Sequence, residues 1–595
     1  MRKILYLLAF ISHTIYAQPY TDYLGAGHNS GITVTTSNNK SGTNASKTID
    51  GSGLNDSLFD ASRFLFQATF GAKPAYISQV KNMGFVNWIN DQFTKPPTYM
   101  RPKMDLIWDT IFARRISEGE LEEDIFGPYA LHFNYAFWQN NMNNQDLLRQ
   151  RVAEALSEIL VISINSNLGD WGEVLCSYYD MLLDESFGNY KDLLTKVSLH
   201  PAMGYYLSHY TNPKTNVQLK IRPDENYARE IMQLFTIGLY ELNNDGTQKL
   251  DGNNNPIPTY DNVDIKEMAK VFTGLGAGAL EDWVWWQVND TFDLDIYAAV
   301  KTVPMKMYEY QHEPGKKYLL KSDSIPAGQT GMQDINQAIN FLFNHPNTGP
   351  FVSKKLIQRL VKSNPTPAYI NRVATVFNGG SGNPRGDMKA VIKAILLDPE
   401  ARTRAAMNQM DAGMLRPPFL RALHYARSMN LIQPQGRFWH NGYNLLDGLG
   451  QHVLGAPTVF NFYPPDYQPV GEIADNDLVA PEFKLHNSSK SINYLNNLYA
   501  WNMWDAVMYS WEGEENVPVV RLDMAWLETM ADDPERMINE LDKLLTHGQL
   551  TDQTREVMRD AMRQIKWPWD QEWRIYRPRL LVYLFMISPD YTILK

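Results

Sequence analysis

Apolar residues recur at helical spacing through most of the chain, and the stretch around residues 223–238 shows the pattern most clearly. One face of this stretch is apolar at intervals near 3.6 residues: Tyr227, Ile231, Leu234, Phe235 and Leu239. That period is typical of a helix packed against a core. Asp224 is a suitable N-cap and Gly238 lies near the other end, so a helix is predicted with both of its ends marked.

The polar residues of this predicted helix are also ordered. Asn226, Glu230 and Gln233 form a seam at i, i+4 and i+7 along the border of the apolar face. Glu225 and Arg229 form an i, i+4 pair on the far side, close enough to interact on a helix. Together with the capping aspartate, the first two turns carry three carboxylates beside a core.

Those three carboxylates are the candidate catalytic residues: Asp224, Glu225 and Glu230. Neighbouring carboxylates can act as general acid and base when their environments separate their pKa values. The alternative is an N-cap plus a buried salt-bridge network that locks helices together. In that case the partners would be arginines of other helices, for which Arg63, Arg149 and Arg151 are candidates. Glu230, at the edge of the buried face, is expected to have an arginine or a histidine of another helix within salt-bridge distance.

The same periodicity predicts helices along the rest of the chain: 60–71, 145–163, 178–183, 193–199, 264–273, 334–343, 349–362, 367–377, 388–397, 415–429, 489–510, 534–545, 553–565 and 577–587. In the second of these, Arg151, Glu154 and Glu158 share a polar strip on an otherwise apolar helix. The fold class predicted is mostly α, a large multi-helix globular body with a small hairpin or irregular insertion around residues 243–320. A hairpin turned at Asp245-Gly246 is expected there, and a sub-boundary is predicted near residues 405–415.

The N-terminus has the pattern of a signal peptide over residues 1–17. Arg2 and Lys3 precede an apolar run over residues 4–11, and Ile15-Tyr16-Ala17 is a suitable cleavage site. The apolar run is too short to span a membrane, so no transmembrane anchor is expected. Residues 18–57 are polar and predict a linker with one short strand, followed by the helical domain over residues 58–595. The expected location is outside the cytoplasm: periplasmic, at the cell surface or secreted.

Composition narrows the function classes. Of 595 residues, 44% are hydrophobic and 20% are charged, which is typical of a globular protein. The net charge is −11 without a basic block, so a nucleic-acid partner is not expected. The sequence has no glycine-rich phosphate loop, no serine nucleophile elbow and no His-Glu-x-x-His motif. Its one cysteine, Cys176, lies in an apolar run and excludes an internal disulfide.

The candidate binding residues are polar or aromatic side chains in distinctive local contexts: Asn226, Arg229, His200, His312, Glu313, Lys317, Arg385 and Trp285. Each has a structural alternative. A histidine at a helix end can satisfy backbone groups, a tryptophan beside a hairpin usually packs in a core, and Asp387 after Arg385 is a suitable N-cap. No histidine or carboxylate spacing predicts a metal site, and no cofactor is predicted.

Several short motifs, in order, resemble the bacterial family called "domain of unknown function 1800": Ala61-Ser62-Arg63-Phe64-Leu65, Ala68-Thr69-Phe70-Gly71, Arg149-Gln150-Arg151-Val152, His200-Pro201-Ala202-Met203, the 223–238 stretch, Phe272-Thr273-Gly274, Asn344-His345-Pro346-Asn347-Thr348, Arg385-Gly386-Asp387, Asp398-Pro399-Glu400 and Ile587-Ser588-Pro589-Asp590-Tyr591. The resemblance covers residues 58–595 and implies a mostly helical, usually exported protein. It also implies an exported partner from a neighbouring gene, of the family "domain of unknown function 1501", which resembles alkaline phosphatases and sulfatases. The family tends to have His-Asp ahead of a lysine where this chain has His312-Glu313 ahead of Lys317.

Two function classes remain. The first is a binding or scaffold partner of an envelope or polysaccharide-processing system, with the sulfatase-like protein or a glycan as partner. The second is a carboxylate-based hydrolase of an extracellular polymer such as a glycan, which would use the helix over residues 224–230. A pocket in front of those carboxylates, with a histidine across it, would favour the enzyme. Carboxylates sealed by arginines would favour the scaffold.

Overall fold

The computed structural model describes residues 56–284, 291–320, 323–403, 405–439, 448–503, 520–565 and 572–595. The predicted signal peptide, nearly all of the predicted linker, and Trp285 lie outside the described residues. Within the described ranges the chain is mostly helical with little strand, which confirms the predicted fold class.

Helices of the first half of the chain run in this order: α1 Asp56–Ala68, α2 Pro74–Met83, α3 Phe85–Gln92, α4 Met100–Ser117, α5 Ala130–Asn143, α6 Leu147–Ser157, α7 Gly172–Glu185, α8 Tyr190–Leu199, α9 Pro201–Tyr206, α10 Asn226–Glu230 and α11 Asn262–Val271. The predicted 145–163 helix is correct in its centre but ends at Ser157. Glu158 is its C-cap, and the chain then leaves the helix axis.

Helices of the second half follow: α12 Gly331–Asn344, α13 Thr348–Leu360, α14 Pro367–Phe377, α15 Met388–Leu397, α16 Pro399–Arg402, α17 Pro418–Ser428, α18 Glu472–Asp475, α19 Ser488–Met503, α20 Ala525–Glu528, α21 Pro534–Leu541, α22 Asp552–Gln564, α23 Trp573–Ile587 and α24 Pro589–Thr592. Many begin at a side-chain cap. Thr330 and Gln333 form a capping box on α12, and Asp387 accepts the Ala390 N–H at the start of α15, as predicted for that aspartate.

The short strands form antiparallel pairs: β1 Leu275–Gly276 with β2 Lys306–Met307, β3 Lys317–Leu319 with β4 Asp323–Ile325, and β5 Met414–Leu415 with β6 Ile593–Leu594. The hairpin predicted at Asp245-Gly246 is present. Leu242 pairs with Gln248 across it, and Gly246 takes the positive φ of 78° that the turn requires. The irregular insertion is therefore confirmed as two small sheets and a hairpin. Strand β3 packs beside α11, and the hairpin turn packs on α14 near Ile370 and Asn371.

The central helix differs from its prediction. It is α-helical only over α10 and continues as a π-helix, Ile231–Thr236. The Thr236 hydroxyl donates to the carbonyl of Ile231 at 2.5 Å, five residues back, which matches the wider turn. Leu239, expected on the buried face, is exposed, because the chain turns away at Gly238, where φ is +71°. Single π turns inside helices are frequent at functional sites.

One hydrophobic cluster extends from Ala61 to Leu594 and includes the buried faces of most of these helices. No helix among the described residues is long and apolar enough to cross a membrane. The core therefore serves as a single rigid support for the polar groups described below.

Candidate functional site

Of the three candidate catalytic carboxylates, only Glu230 enters the interior. Asp224 is exposed and accepts the Asn226 N–H at 2.8 Å, but the N-cap of α10 is Glu225, whose side chain makes no capping hydrogen bond, so the predicted N-cap is one residue early. Glu225 pairs with Arg229 at 3.6 Å, and both side chains remain more than a third exposed. Asn226 is half-buried at the start of α10. These residues therefore form the start of a helix at the surface, and the three carboxylates do not share one site.

Glu230 is 3% exposed, and its Oε2 has no hydrogen-bond partner within the described parts of the chain. Burial raises its pKa, while the charges of Arg229 and Lys355 oppose the shift. The expected arginine or histidine partner on another helix is absent among the described residues, so that expectation is wrong. The charge from another helix that acts on Glu230 belongs to Lys355 on α13.

The arginines proposed as its partners have other contacts. Arg63 donates to the carbonyls of Ala401 and Lys595, Arg149 donates to that of Leu183, and Arg151 pairs with Glu154. Arg63 and Arg149 therefore tie their helices to other segments, and Arg151, besides its partner within α6, donates to the carbonyl of Arg359 on α13. Among the described residues, neither outcome expected for the central helix, a histidine-faced pocket or an arginine seal, is present.

His200 has the structural role that was its alternative. Its Nδ1 accepts the Ala202 N–H at the start of α9, and its Nε2 donates to the Ser177 hydroxyl at 3.2 Å. Burial lowers the pKa of His200 to about 3, although the hydrogen bond with Ser177 opposes the shift. The ring is therefore neutral and serves as a helix cap.

His312 and Lys317 lie close together because both contact Asp334, a residue for which the sequence predicted no role. His312 Nε2 lies 3.0 Å and Lys317 Nζ 2.5 Å from Oδ2 of Asp334, and all three side chains are buried. His312 Nδ1 faces the carbonyl of Thr273 at 2.9 Å. Asp334 thus holds His312 and Lys317 together in the interior. The cluster locks β3 and the 312–317 loop onto α12.

Glu313 and Arg385 also have structural contacts. The Glu313 side chain accepts the N–H of Thr215 at 3.2 Å and stays near the surface. Arg385 donates to the carbonyls of Phe343 and His345 at the end of α12 and to the side chain of Asn378. Arg385 thereby satisfies carbonyls that a helix end leaves free.

The strongest candidate site lies elsewhere, between α6, α13 and the loop over residues 451–465, which we call the 451–465 loop. Lys355, Gln358 and Arg359 occupy one face of α13 at i, i+3 and i+4. With Glu158 at the end of α6, they line a cavity of about 50 Å³. The loop closes the other side with further lining residues: Val459, Phe460, Asn461, Tyr463, Pro464 and Pro465.

The charged side chains that line this cavity have hydrogen-bond partners of their own. Glu158 accepts from Arg359 at 3.1 Å and from Gln451 at 3.2 Å, and the Arg359 guanidinium lies 4.7 Å above the ring of Tyr463. Lys355 Nζ donates to the carbonyl of Leu234, in the π-helix, at 2.7 Å. Burial lowers the pKa of Lys355 to about 7; Arg359 lowers it further and Glu230 opposes this.

Two more carboxylates lie behind this first set. Burial raises the pKa of Glu154 to about 7, with Arg151 opposing the shift and Glu158 adding to it. Burial likewise raises the pKa of Glu482 to about 7, and Ser363 donates to its Oε2 at 3.3 Å. Perturbed pKa values concentrated around one cavity are typical of functional sites.

The 451–465 loop holds strained backbone at the same place. Leu454 and Asn461 have φ of 53° and 67°, a left-handed conformation that costs a branched or bulky residue about 1–2 kcal/mol. The loop is fixed by hydrogen bonds from the segment after α6: Ile164 N–H donates to Leu454 at 2.8 Å, and Asn165 donates to Gly455 at 2.8 Å. Strain of this kind is found where surrounding structure holds a functional geometry.

Three buried polar side chains on the cavity wall lack partners among the described residues. Asn461 Nδ2, the Tyr463 hydroxyl and Gln358 Oε1 make no hydrogen bond, although these residues are only 7%, 1% and 4% exposed. Buried polar groups are almost always satisfied, so these atoms indicate a ligand or water that occupies the cavity. Across the described ranges, no group of three or more histidine, cysteine or acidic side chains is arranged to hold a metal.

A family model described as a protein of unknown function (DUF1800) matches residues 63–593. The chain belongs to the DUF1800 family. The match confirms the resemblance that the sequence motifs indicated over nearly the whole chain. No curated protein and no protein of solved structure matches this DUF1800 chain significantly, so the fold and the site carry the functional argument.

The cavity of this DUF1800 protein was not predicted from the sequence, although one sequence feature points to it. Arg151, Glu154 and Glu158 were recognised as a polar strip on a helix whose other residues are apolar, and the helix is buried on nearly all sides. Ionisable residues that remain buried need partners. As a candidate site, that strip is therefore a better choice than the surface pair of Glu225 and Arg229.

Proposed function

We propose that this DUF1800 protein is an exported binding component of an envelope or polysaccharide-processing system. Its ligand would enter the cavity between α6, α13 and the 451–465 loop. The observation that carries the proposal is the set of unsatisfied atoms on Asn461, Tyr463 and Gln358, which are buried around a space large enough for a small polar group.

A binding role suits the shape of the site better than hydrolysis of a polymer does. The cavity of about 50 Å³ can enclose one small group but no sugar ring. A polymer would therefore lie across the mouth and insert one substituent. Such contacts give recognition without surrounding a bond to be cleaved.

The proposed partner is an exported sulfatase-like protein of the DUF1501 family, which the family resemblance implies. To test this, both full-length proteins are co-expressed, purified from the cell envelope and applied together to sulfated and unsulfated glycans. We expect co-elution and retention of a glycan without release of reducing ends. Separate elution together with no glycan retention would contradict the binding proposal.

Export is tested on the same material. We expect the mature chain to begin at Gln18, after loss of residues 1–17, and deletion of that segment to leave the protein in the cytoplasm. Mass spectrometry that finds Met1 intact on envelope-fractionated protein would contradict this expectation.

A hydrolase of an extracellular polymer remains the alternative, and one observation favours it. Glu154, Glu482 and Lys355 have pKa values shifted to about 7 around the ion-paired Glu158, as groups that exchange protons near neutral pH require. The acid and base would then belong to this cavity and not to Asp224 and Glu225. Release of reducing ends by the protein alone, abolished by Glu158→Gln, would establish the hydrolase.

A further inference from the structure

The orientation of the unsatisfied atoms restricts what the cavity can bind. Gln358 Nε2 donates to the carbonyls of Ser363 at 2.9 Å and Pro465 at 3.1 Å. This assigns the amide orientation, because the oxygen could not face two carbonyls, and so Oε1 is the atom left without a partner. The cavity therefore offers one acceptor that needs a donor from the ligand.

The remaining unpaired atoms on this wall can all act as donors, and the Tyr463 hydroxyl can also accept. The Asn461 amide and the Tyr463 hydroxyl are unpaired, and Lys355 uses one of its three N–H groups on Leu234. Glu158 is already held by Arg359 and Gln451, so it is not available to neutralise a ligand cation. Donors and a spare cation on the same wall favour an acceptor with negative charge.

We propose that the cavity binds a hydroxy-carboxylate, with the carboxylate among Lys355, Asn461 and Tyr463 and an adjacent hydroxyl donating to Gln358. The inference rests on the proposed binding function and names the ligand class of that site. Carboxylate and hydroxyl together satisfy the donors and the acceptor that the protein leaves open.

An aromatic side chain at the mouth of the cavity can contact the part of the ligand that stays outside. Phe460 lines the cavity and is still 50% exposed, beside Pro464 and Pro465. An exposed aromatic ring of this kind packs against the apolar face of a sugar. A uronate unit of a polysaccharide and a small free hydroxy-acid both carry the required groups, and only the former uses Phe460.

The test uses the full-length protein, with binding measured by calorimetry at near-neutral pH. Glucuronate is compared with glucose, which has the same ring without the carboxylate, and with lactate, which has the two polar groups without the ring. Glucuronate is expected to bind, glucose at least about tenfold more weakly, since a hydrogen bond to a charged group contributes enough for that ratio. If lactate binds as tightly as glucuronate, the ligand is a small free hydroxy-acid and not a uronate unit of a polysaccharide.

Substitutions of cavity residues test whether glucuronate binds in this cavity. Lys355→Met and Tyr463→Phe are each expected to weaken glucuronate binding about tenfold or more. Lys354→Met is the matched control, because Lys354 is the adjacent lysine of α13, is exposed and does not line the cavity. Unchanged affinity in Lys355→Met, or equal affinity for glucose and glucuronate, would overturn the proposal. Tyr463→Phe removes only the hydroxyl group and is expected to fold. It therefore tests the site even if Lys355→Met fails to fold.

Acid–base titration supplies a second readout. The groups that face Lys355 are Glu230 on α10, Glu158 on α6, Arg359 on its own helix and Tyr463 on the loop. Since burial lowers the pKa of Lys355 to about 7, glucuronate affinity is expected to fall between about pH 6 and about pH 9. An affinity that rises over this interval would overturn the role of Lys355.

The two proposals fail separately. A protein that retains polysaccharide with its partner but ignores both glucuronate and lactate would refute the ligand class and leave the binding function. A protein that binds glucuronate in the cavity and neither co-elutes with the sulfatase-like protein nor retains any glycan would refute the envelope role and leave the ligand class.

Discussion

Single residues of the same type have very different surroundings in this protein, and the glutamates show it best. Glu225 is a surface partner of Arg229, Glu158 is ion-paired with Arg359, and Glu230 is buried without a partner among the described residues. A buried carboxylate without a partner costs stability, since desolvation is not compensated. Residues of this kind are retained where they serve a function or where a ligand completes them.

Glu230→Gln tests this interpretation. The substitution removes a buried charge that no ion pair compensates, so we expect the melting temperature to stay the same or rise. The measurement is thermal unfolding at neutral pH. Glu225→Gln is the control and should change the free energy of unfolding by no more than about 0.5 kcal/mol, as exposed pairs do. A clear fall for Glu230→Gln would indicate a stabilising pair and a purely structural role.

Glu482→Gln tests the buried carboxylates behind the cavity. The pKa of Glu482 is raised to about 7 in the folded state, above its value near 4.5 in the unfolded chain. The folded state therefore binds more protons, and this contribution to stability is present below about pH 4.5 and lost as pH rises through about 7. The glutamine variant should be more stable than the parent above pH 7, by roughly 3 kcal/mol at about 1.4 kcal/mol per unit.

The measurement is urea unfolding of the parent and Glu482→Gln at a series of pH values. The difference in free energy of unfolding should grow from about pH 4.5 to about pH 7 and then level off. A constant difference across this interval would mean that Glu482 does not titrate there.

At the scale of elements, local sequence predicts the bounds of many helices to within a few residues, but none of the predicted ranges covers α2, α3, α4 or α5. Asp387 is the N-cap that the sequence pattern predicts for α15, whereas Thr330 caps α12 three residues before its predicted start at residue 334 would require. Helix ends depend on what the chain meets next, as the early end of α6 at Ser157 shows. The π-helix after α10 has no signal in the hydrophobic period, because it is formed by packing and by the Thr236 hydroxyl.

Gly238→Ala tests the end of the central helix. Gly238 has φ of +71°, and a Cβ there would lie 2.7 Å from the ring of Phe351. We expect a loss of about 2–4 kcal/mol, the sum of left-handed backbone strain and overpacking. Gly252→Ala is the matched control, since that glycine has open space around it. Equal free energies of unfolding for the two variants, measured in urea, would show that the turn relaxes freely.

At the scale of the whole molecule, one hydrophobic cluster joins residues on both sides of the sub-boundary predicted near 405–415. β5 pairs with β6 near the end of the chain, and Arg63 of α1 donates to Ala401 and to Lys595. These contacts connect early, middle and late segments. The sub-boundary itself stays a prediction.

We expect a single cooperative unfolding transition for the described body. Tryptophans report from both sides of the predicted sub-boundary, for example Trp138 and Trp501. Fluorescence and calorimetry should give coincident midpoints. Two separated transitions, or limited proteolysis that releases a stable fragment ending near residues 405–415, would establish two folding units instead.

The sequence by itself determined the helical class, the positions of many helices, the N-cap Asp387 and the family, because hydrophobic periodicity and capping act over a few residues. Tertiary structure alone decided the candidate site. Glu158, Lys355 and Asn461 are far apart in the chain, and only the packing of α6 and α13 under the 451–465 loop brings them together. The same holds for His312 and Lys317, which meet on Asp334 at the start of α12. Whether a charge is buried, paired or free depends on neighbours from distant segments, and no local pattern specifies which segments those are.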